Sequence, residues 1–207
     1  MKRLALILLL SLCLSPLHAA PAPADSTSPL TAFQALEIAK KQVGPDSKGR
    51  VIQIVGKKSA ISVMPVEWAV LFFDPNAKQS GILVTVAGNV VIKVQDGFTQ
   101  MDKFRLAAYK LEEVIDPKTL KVDSKKAVES IERSSVMGGI KLSSASLFLH
   151  KEAKDAMAPG IWEILLYALP KMTPGKTQVT EVKIGEARVS AETGQVLDLK
   201  IDLKKVQ

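Results

Sequence analysis

Apolar positions along this chain follow two spacings, and the same succession of spacings occurs twice. Ala32, Ala35, Leu36, Ala39 and Val43 recur at helical intervals, which predicts an amphipathic helix. Thr31, with Gln34 three residues on, matches a capping box, and Gly44-Pro45 stops the helix. Val51 to Val55 is a β-branched run, and Ala60 to Met64 is a second short one. Val66 to Phe73 is apolar at nearly every position, so it reads as a strand covered on both faces or central in its sheet. After the turn at Asp74-Pro75-Asn76, Ile82, Val84 and Val86 alternate with Leu83 and Thr85. Gly88-Asn89 then supplies a tight hairpin, and Val90, Ile92 and Val94 form the return strand.

The second pass starts at Asp123 or Ser124, either of which can cap a helix whose inward positions are Ala127, Val128 and Ile131. Gly138-Gly139 breaks the chain, and Ile140 to Leu149 contains a strand with small polar residues. Loops are expected at Ala156 to Gly160 and at Pro170 to Gly175. Between them, Ile161 to Leu169 repeats the dense apolar strand. Val179 to Ile184 and Ala187 to Ala191 form one ladder past a bulge at Gly185, and Thr193-Gly194 makes the turn. Leu197, Leu199, Ile201 and Leu203 alternate with Asp198, Lys200 and Asp202, the cleanest sign of a strand with one buried and one wet face.

The two passes overlay. Ala35-Leu36-Glu37 answers Ala127-Val128-Glu129, and Trp68-Ala69-Val70-Leu71 answers Trp162-Glu163-Ile164-Leu165. Val84-Thr85-Val86 answers Val189-Ser190-Ala191, and Gly88-Asn89-Val90-Val91 answers Gly194-Gln195-Val196-Leu197. The expected fold class is therefore α+β, as two tandem units that each pack a helix on a curved antiparallel β-sheet. The units span residues 31–97 and 123–207. A connector, 98–122, joins them, either as a helix with Phe104, Ala108, Leu111 and Ile115 on one face or as short extended pieces. Trp68, Gly88, Trp162 and Gly194 are the structural landmarks, and both tryptophans read as core.

The helix, the Trp-bearing strand and the Gly-turn hairpin together resemble the PepSY domain, in two tandem copies over most of the chain. The better match is the second copy, with Asp123-Ser124-Lys125-Lys126-Ala127, Trp162-Glu163-Ile164 and Ala187 to Leu197. The first copy departs in having Ala87-Gly88 where the pattern has an acidic residue before the turn. The resemblance implies a helix on a curved antiparallel sheet, cystatin-like in general shape, in an exported protein that restrains a peptidase or binds proteins near the cell envelope. No catalytic residue belongs to the pattern.

Composition narrows this picture. Lys2 and Arg3, the apolar run Leu4 to Leu14 and the small residues after it read as a cleaved signal peptide over residues 1–24. A flexible linker follows over 25–30, and the expected location is periplasmic or secreted. Cys13 leaves with that segment, as do two cations, which lowers the formal excess of +7. Aromatic residues make up 5% of the chain and sit in strand patterns, which with export argues against nucleic acid. The lysine pairs Lys40-Lys41, Lys57-Lys58, Lys125-Lys126 and Lys204-Lys205 read as solvated faces. No later apolar run reaches membrane-spanning length.

Catalytic chemistry is sparse. His150 is the lone histidine after the signal, and it reads as a surface residue. Glu112-Glu113 diverge on a helix, and Lys200 separates Asp198 from Asp202. Calcium-loop and phosphate-loop spacings are missing. Met64, Met101, Met137, Met157 and Met172 fall near loops and read as gap fillers. The expectations are no catalytic, cofactor or metal residues and a non-enzymatic module that binds an envelope protein or a secreted peptidase. The alternative is a small-ligand or lipid-binding protein with a cavity between helix and sheet.

Overall fold

The dense apolar runs sit inside one antiparallel sheet of eight strands. The computed structural model describes residues 29–97, 107–152, 158–171 and 180–206. The expected signal segment, Met101, Met157, Met172 and the first part of the connector lie outside them. The strands are β1 (Val51–Lys57), β2 (Glu67–Phe73), β3 (Gly81–Ala87), β4 (Val90–Asp96), β5 (Ser144–Lys151), β6 (Gly160–Ala168), β7 (Val182–Ser190) and β8 (Val196–Ile201). Their order across the sheet is β4-β3-β2-β1-β5-β6-β7-β8. Two α-helices among the described residues, α1 (Ala32–Ala39) and α2 (Ser124–Glu132), pack on the sheet.

This arrangement overturns the expectation of two tandem helix-on-sheet units. The strands of both passes form a single sheet because β1 pairs with β5, with Ile54 opposite Leu149, Val55 opposite Phe148 and Gly56 opposite Leu147. The core is likewise continuous. A single apolar cluster holds Leu36, Ala39, Val70 and Val84 from one half with Ala127, Ile131, Ile164 and Ala187 from the other. Merging is favoured because each meander has two edges of unpaired N–H and C=O groups, and joining β1 to β5 removes one from each.

Both tryptophans are fully buried, and each makes the same bond. The Trp68 indole N–H donates to the Leu30 carbonyl at 3.0 Å, and that of Trp162 donates to the Val122 carbonyl at 2.9 Å. Leu30 and Val122 immediately precede the capping residues Thr31 and Asp123. Each indole therefore fixes the start of its helix to the sheet. Trp68 lies opposite Val86, and Trp162 lies opposite Val189. The structural equivalent of Val189 is thus Val86 rather than Val84. The overlay by sequence slips by two because Gly88-Asn89 closes the β3–β4 hairpin, whereas residues 191–195 close the β7–β8 hairpin.

The helix starts also meet each other. In α1 the capping box forms: Thr31 Oγ1 accepts from the Gln34 N–H at 3.3 Å, and Gln34 Oε1 accepts from the Thr31 N–H at 2.9 Å. Two more first-turn N–H groups of α1 find acceptors 90 residues away or more. The Ala32 N–H donates to Ser124 Oγ at 2.9 Å, and the Phe33 N–H donates to Asp123 Oδ1 at 3.1 Å. Asp123 Oδ1 also accepts from the Ser124 N–H. Ser124 is fully buried, a position a hydroxyl tolerates when its hydrogen bonds are made.

Other expectations differ in detail. Residues 60–64 are loop, not strand. The described connector carries two short 3₁₀ turns, Leu111–Glu113 and Pro117–Thr119, in place of a helix. In β8 the alternation breaks at Leu197, which is 48% exposed. The ladder register shifts between Arg188 and Val189, so Leu197 is the extra residue of a bulge. Ile92 is the extra residue of a matching shift in β4. Leu203 lies beyond the strand, in a 3₁₀ turn. Gly88 and Gly194 take φ of 55° and 77°, the left-handed region that their turns require. Gly185 has a different reason: a Cβ there would lie 2.1 Å from the Lys200 carbonyl oxygen.

Three variants test these anchors. Trp162→Ala is expected to lower stability by about 3–5 kcal/mol, as large-to-small core changes do, whereas Trp162→Phe, which loses the indole bond, should cost about 1–2 kcal/mol in urea unfolding. Asp123→Ala removes the shared acceptor and should cost about 1–2 kcal/mol, with faster amide exchange at Phe33, in the other half of the chain.

Candidate functional site

Cross-strand pairing sorts the side chains onto two faces. One row runs Val94, Val84, Val70, Ile54, Leu149, Trp162, Val189, Val196 from edge to edge. This is the face against which α1 and α2 pack. The neighbouring row runs Lys93, Thr85, Ala69, Val55, Phe148, Glu163, Arg188, Asp198 on the opposite face. No helix among the described residues covers that face. A smaller cluster of Ile52, Leu71, Phe73, Leu83 and Tyr109 caps one end of it, with Val114 from the connector packed on top.

Beside that cluster lies a groove of about 680 Å³. Val55, Ala69, Leu83, Phe148 and Leu165 form its apolar floor, and Lys57, Lys58, Glu67, Lys93 and Glu163 rim it. It straddles the β1–β5 seam, so neither half holds it alone. Lys57 pairs with Glu67 at 3.3 Å. Lys93 has no ion-pair partner among the described residues. At the other end, His150 stacks on Phe148 with 4.4 Å between ring centroids. Its Nε2 lies 3.4 Å from Glu163 Oε1 and, being buried, makes no hydrogen bond. Arg188, opposite Glu163 in the ladder, pairs with Glu152 instead. His150 is therefore a half-buried residue packed behind the groove-lining Phe148 and Glu163 rather than a free surface residue.

A second polar cluster lies at one end of the seam. Glu181 accepts from Ser143 Oγ at 2.6 Å and from Ser144 Oγ, and it pairs with Lys58. The Lys58 ammonium also sits over the Tyr167 ring, 4.3 Å from its centroid. Burial pushes the Glu181 carboxyl upward, but the hydrogen bonds from Lys58, Ser143 and Ser144 outweigh it and hold the pKa below the ordinary 4.5. With its oxygens so occupied, Glu181 acts as a latch between the β1–β2 loop and strands β5–β7. Of these five residues only Lys58 was named from sequence, in a pair read as a solvated face; the cluster itself has no sequence signal, because its members come from separate elements.

The landmarks named from sequence support this site without lining it. Trp68 and Trp162 face the helices, and Gly88 and Gly194 sit in the edge hairpins. Asp198 pairs with Lys200 at 3.1 Å, and Asp202 Oδ1 accepts from the Lys204 N–H. Met137 is buried, and Met64 packs against the core. Among the described residues, no group of three or more His, Cys, Asp or Glu converges to hold a metal ion, and no helix is long and apolar enough to cross a membrane. The helix–sheet interface beside α1 leaves a cleft of about 160 Å³. Small-molecule sites usually need about 300–1,000 Å³, a range that the groove on the open face meets and this cleft does not.

The Glu181 latch predicts a pH dependence. A depressed folded pKa contributes stability that is fully present above the ordinary value of 4.5 and is lost as the pH falls through the folded value. Glu181→Gln should therefore flatten the stability profile below that pH and lower stability at neutral pH by about 1–2 kcal/mol, measured by urea unfolding across a pH series. Comparison with known proteins returns nothing: no family model, no curated protein and no solved structure matches this chain.

Proposed function

We propose that this chain is an exported, non-catalytic binding protein that engages a protein partner of the cell envelope through the open face of its sheet, in the manner of a PepSY-like restraint on a peptidase. The uncovered groove carries this reading. A folded chain rarely leaves apolar floor residues such as Val55, Ala69, Leu83 and Leu165 lining a solvent-open concavity unless something occupies it. The Lys2-Arg3 start and the Leu4 to Leu14 run support export. The groove volume, about 680 Å³, also favours a second reading, in which a small apolar ligand fills the same space.

The test presents the purified chain to an envelope extract of its host beside a variant carrying Ala69→Arg and Leu165→Glu. The native chain should recover a defined partner and alter host protease activity, and the variant should recover about tenfold less, as loss of a central anchor does. Recovery of no partner together with unchanged protease activity overturns the reading. A bound mass in native mass spectrometry that disappears with Ala69→Trp would instead establish the small ligand.

A further inference from the structure

The geometry points to an amphipathic α-helix as the segment that the partner lays in the groove, running across the strands with an acidic end over Lys93 and a basic end over Glu163. The inference rests on the open face being a partner surface and specifies what that surface accepts. Three observations carry it.

The first is backbone accounting. The groove floor belongs to β1, β2, β3, β5 and β6, all interior strands whose N–H and C=O groups are already paired on both sides. An extended peptide laid across them would bury its own backbone groups against apolar side chains with no ladder to join, which costs about 1–3 kcal/mol for each group left unmet. Extended segments bind at sheet edges for this reason. A helix satisfies its backbone internally and presents only side chains.

The second is length. The row from Lys93 to Glu163 crosses six strands, from β4 to β6. At about 4.8 Å between strands the row is about 24 Å long, the length of a helix of about 16 residues. The middle of the row is Thr85, Ala69 and Val55, small enough to admit a helical ridge.

The third is charge. Lys93 stands at one end without an acidic partner among the described residues. Glu163 stands at the other, 44% exposed, with His150 Nε2 at 3.4 Å and with Arg188 paired to Glu152 instead. Opposite charges at the two ends suit a helix, in which acidic residues stabilise the first turn and basic residues the last. A single-chain anionic amphiphile would satisfy Lys93 but would set its apolar tail against the Glu163 carboxylate.

The experiment uses the full chain and four fluorescent 16-residue peptides with the same Leu/Ala stripe. The first carries Glu in its first turn and Lys in its last. The second carries Glu at both ends, and the third Lys at both ends. The fourth is the first with a central proline. The expected result is saturable binding of the first peptide, about tenfold tighter than either like-ended peptide, and none of the proline peptide. Lys93→Glu should move the preference to the Lys-ended peptide, and Glu163→Lys should move it to the Glu-ended one; both are surface changes whose folding is checked by urea unfolding. Equal binding of the proline peptide, a preference that ignores these substitutions, or no peptide binding at all overturns the inference. So does saturable binding of hexadecanoate while every peptide stays silent. Partner capture that depends on Ala69 and Leu165 but shows none of these preferences would sink the helix while leaving the partner surface standing.

Discussion

Helix first turns carry N–H groups with no partner inside the helix, and in this protein that deficit is met across the two halves of the chain. Ala32 and Phe33 of α1 donate to Ser124 and Asp123 at the start of α2. With both helix starts tied to one spot, and each tied to the sheet by an indole N–H, the helices have no freedom to lie on opposite faces. Among the described residues, the eight strands then have one side covered by both helices and one side that no helix covers. The shared core, the β1–β5 ladder and the groove are all consistent with that single constraint.

The bare side is not polar enough to be an ordinary solvated face. Antiparallel sheets with one wet face alternate cleanly, yet β2 and β6 present Ala69, Leu71, Ile161 and Leu165 outward among Glu67 and Glu163. Part of that apolar surface is covered by Tyr109 and Val114 from the connector. The remainder spans the seam. The groove exists only because the halves are joined through the β1–β5 ladder, since a flexible link between two sheets would lose it.

Local chemistry was legible in the sequence where it was short-range. The Thr31/Gln34 capping box, the Gly88 and Gly194 turns, the Gly138-Gly139 break and the burial of both tryptophans follow from spacing and residue type. Long-range pairing was not. Nothing in Val51 to Val55 or Ser144 to Lys151 announces that these two strands seek each other, because a β-branched run is suited to any antiparallel neighbour. Edge bulges were also invisible. Ile92 and Leu197 look like inward residues until an extra residue in the ladder turns each outward. Ala60 to Met64 has strand composition but is held as loop, with the Val63 carbonyl accepting from the Ala145 N–H. The groove escaped for a related reason: the dense run at Val66 to Phe73 implies that both faces are covered, and only the sheet order shows where cover is lacking.

The seam has a consequence for how the chain acquires its shape. Residues 31–97 emerge from the ribosome before β5 exists, so β1 waits as an outer strand with the uncharged sequence Val51-Ile52-Gln53-Ile54-Val55 on its rim. Such stretches template intermolecular pairing, and contacts this distant in sequence form slowly. Synthesis of the second half is therefore a race between β5 and a foreign strand for the same hydrogen-bonding edge, and a holding chaperone would act during that interval.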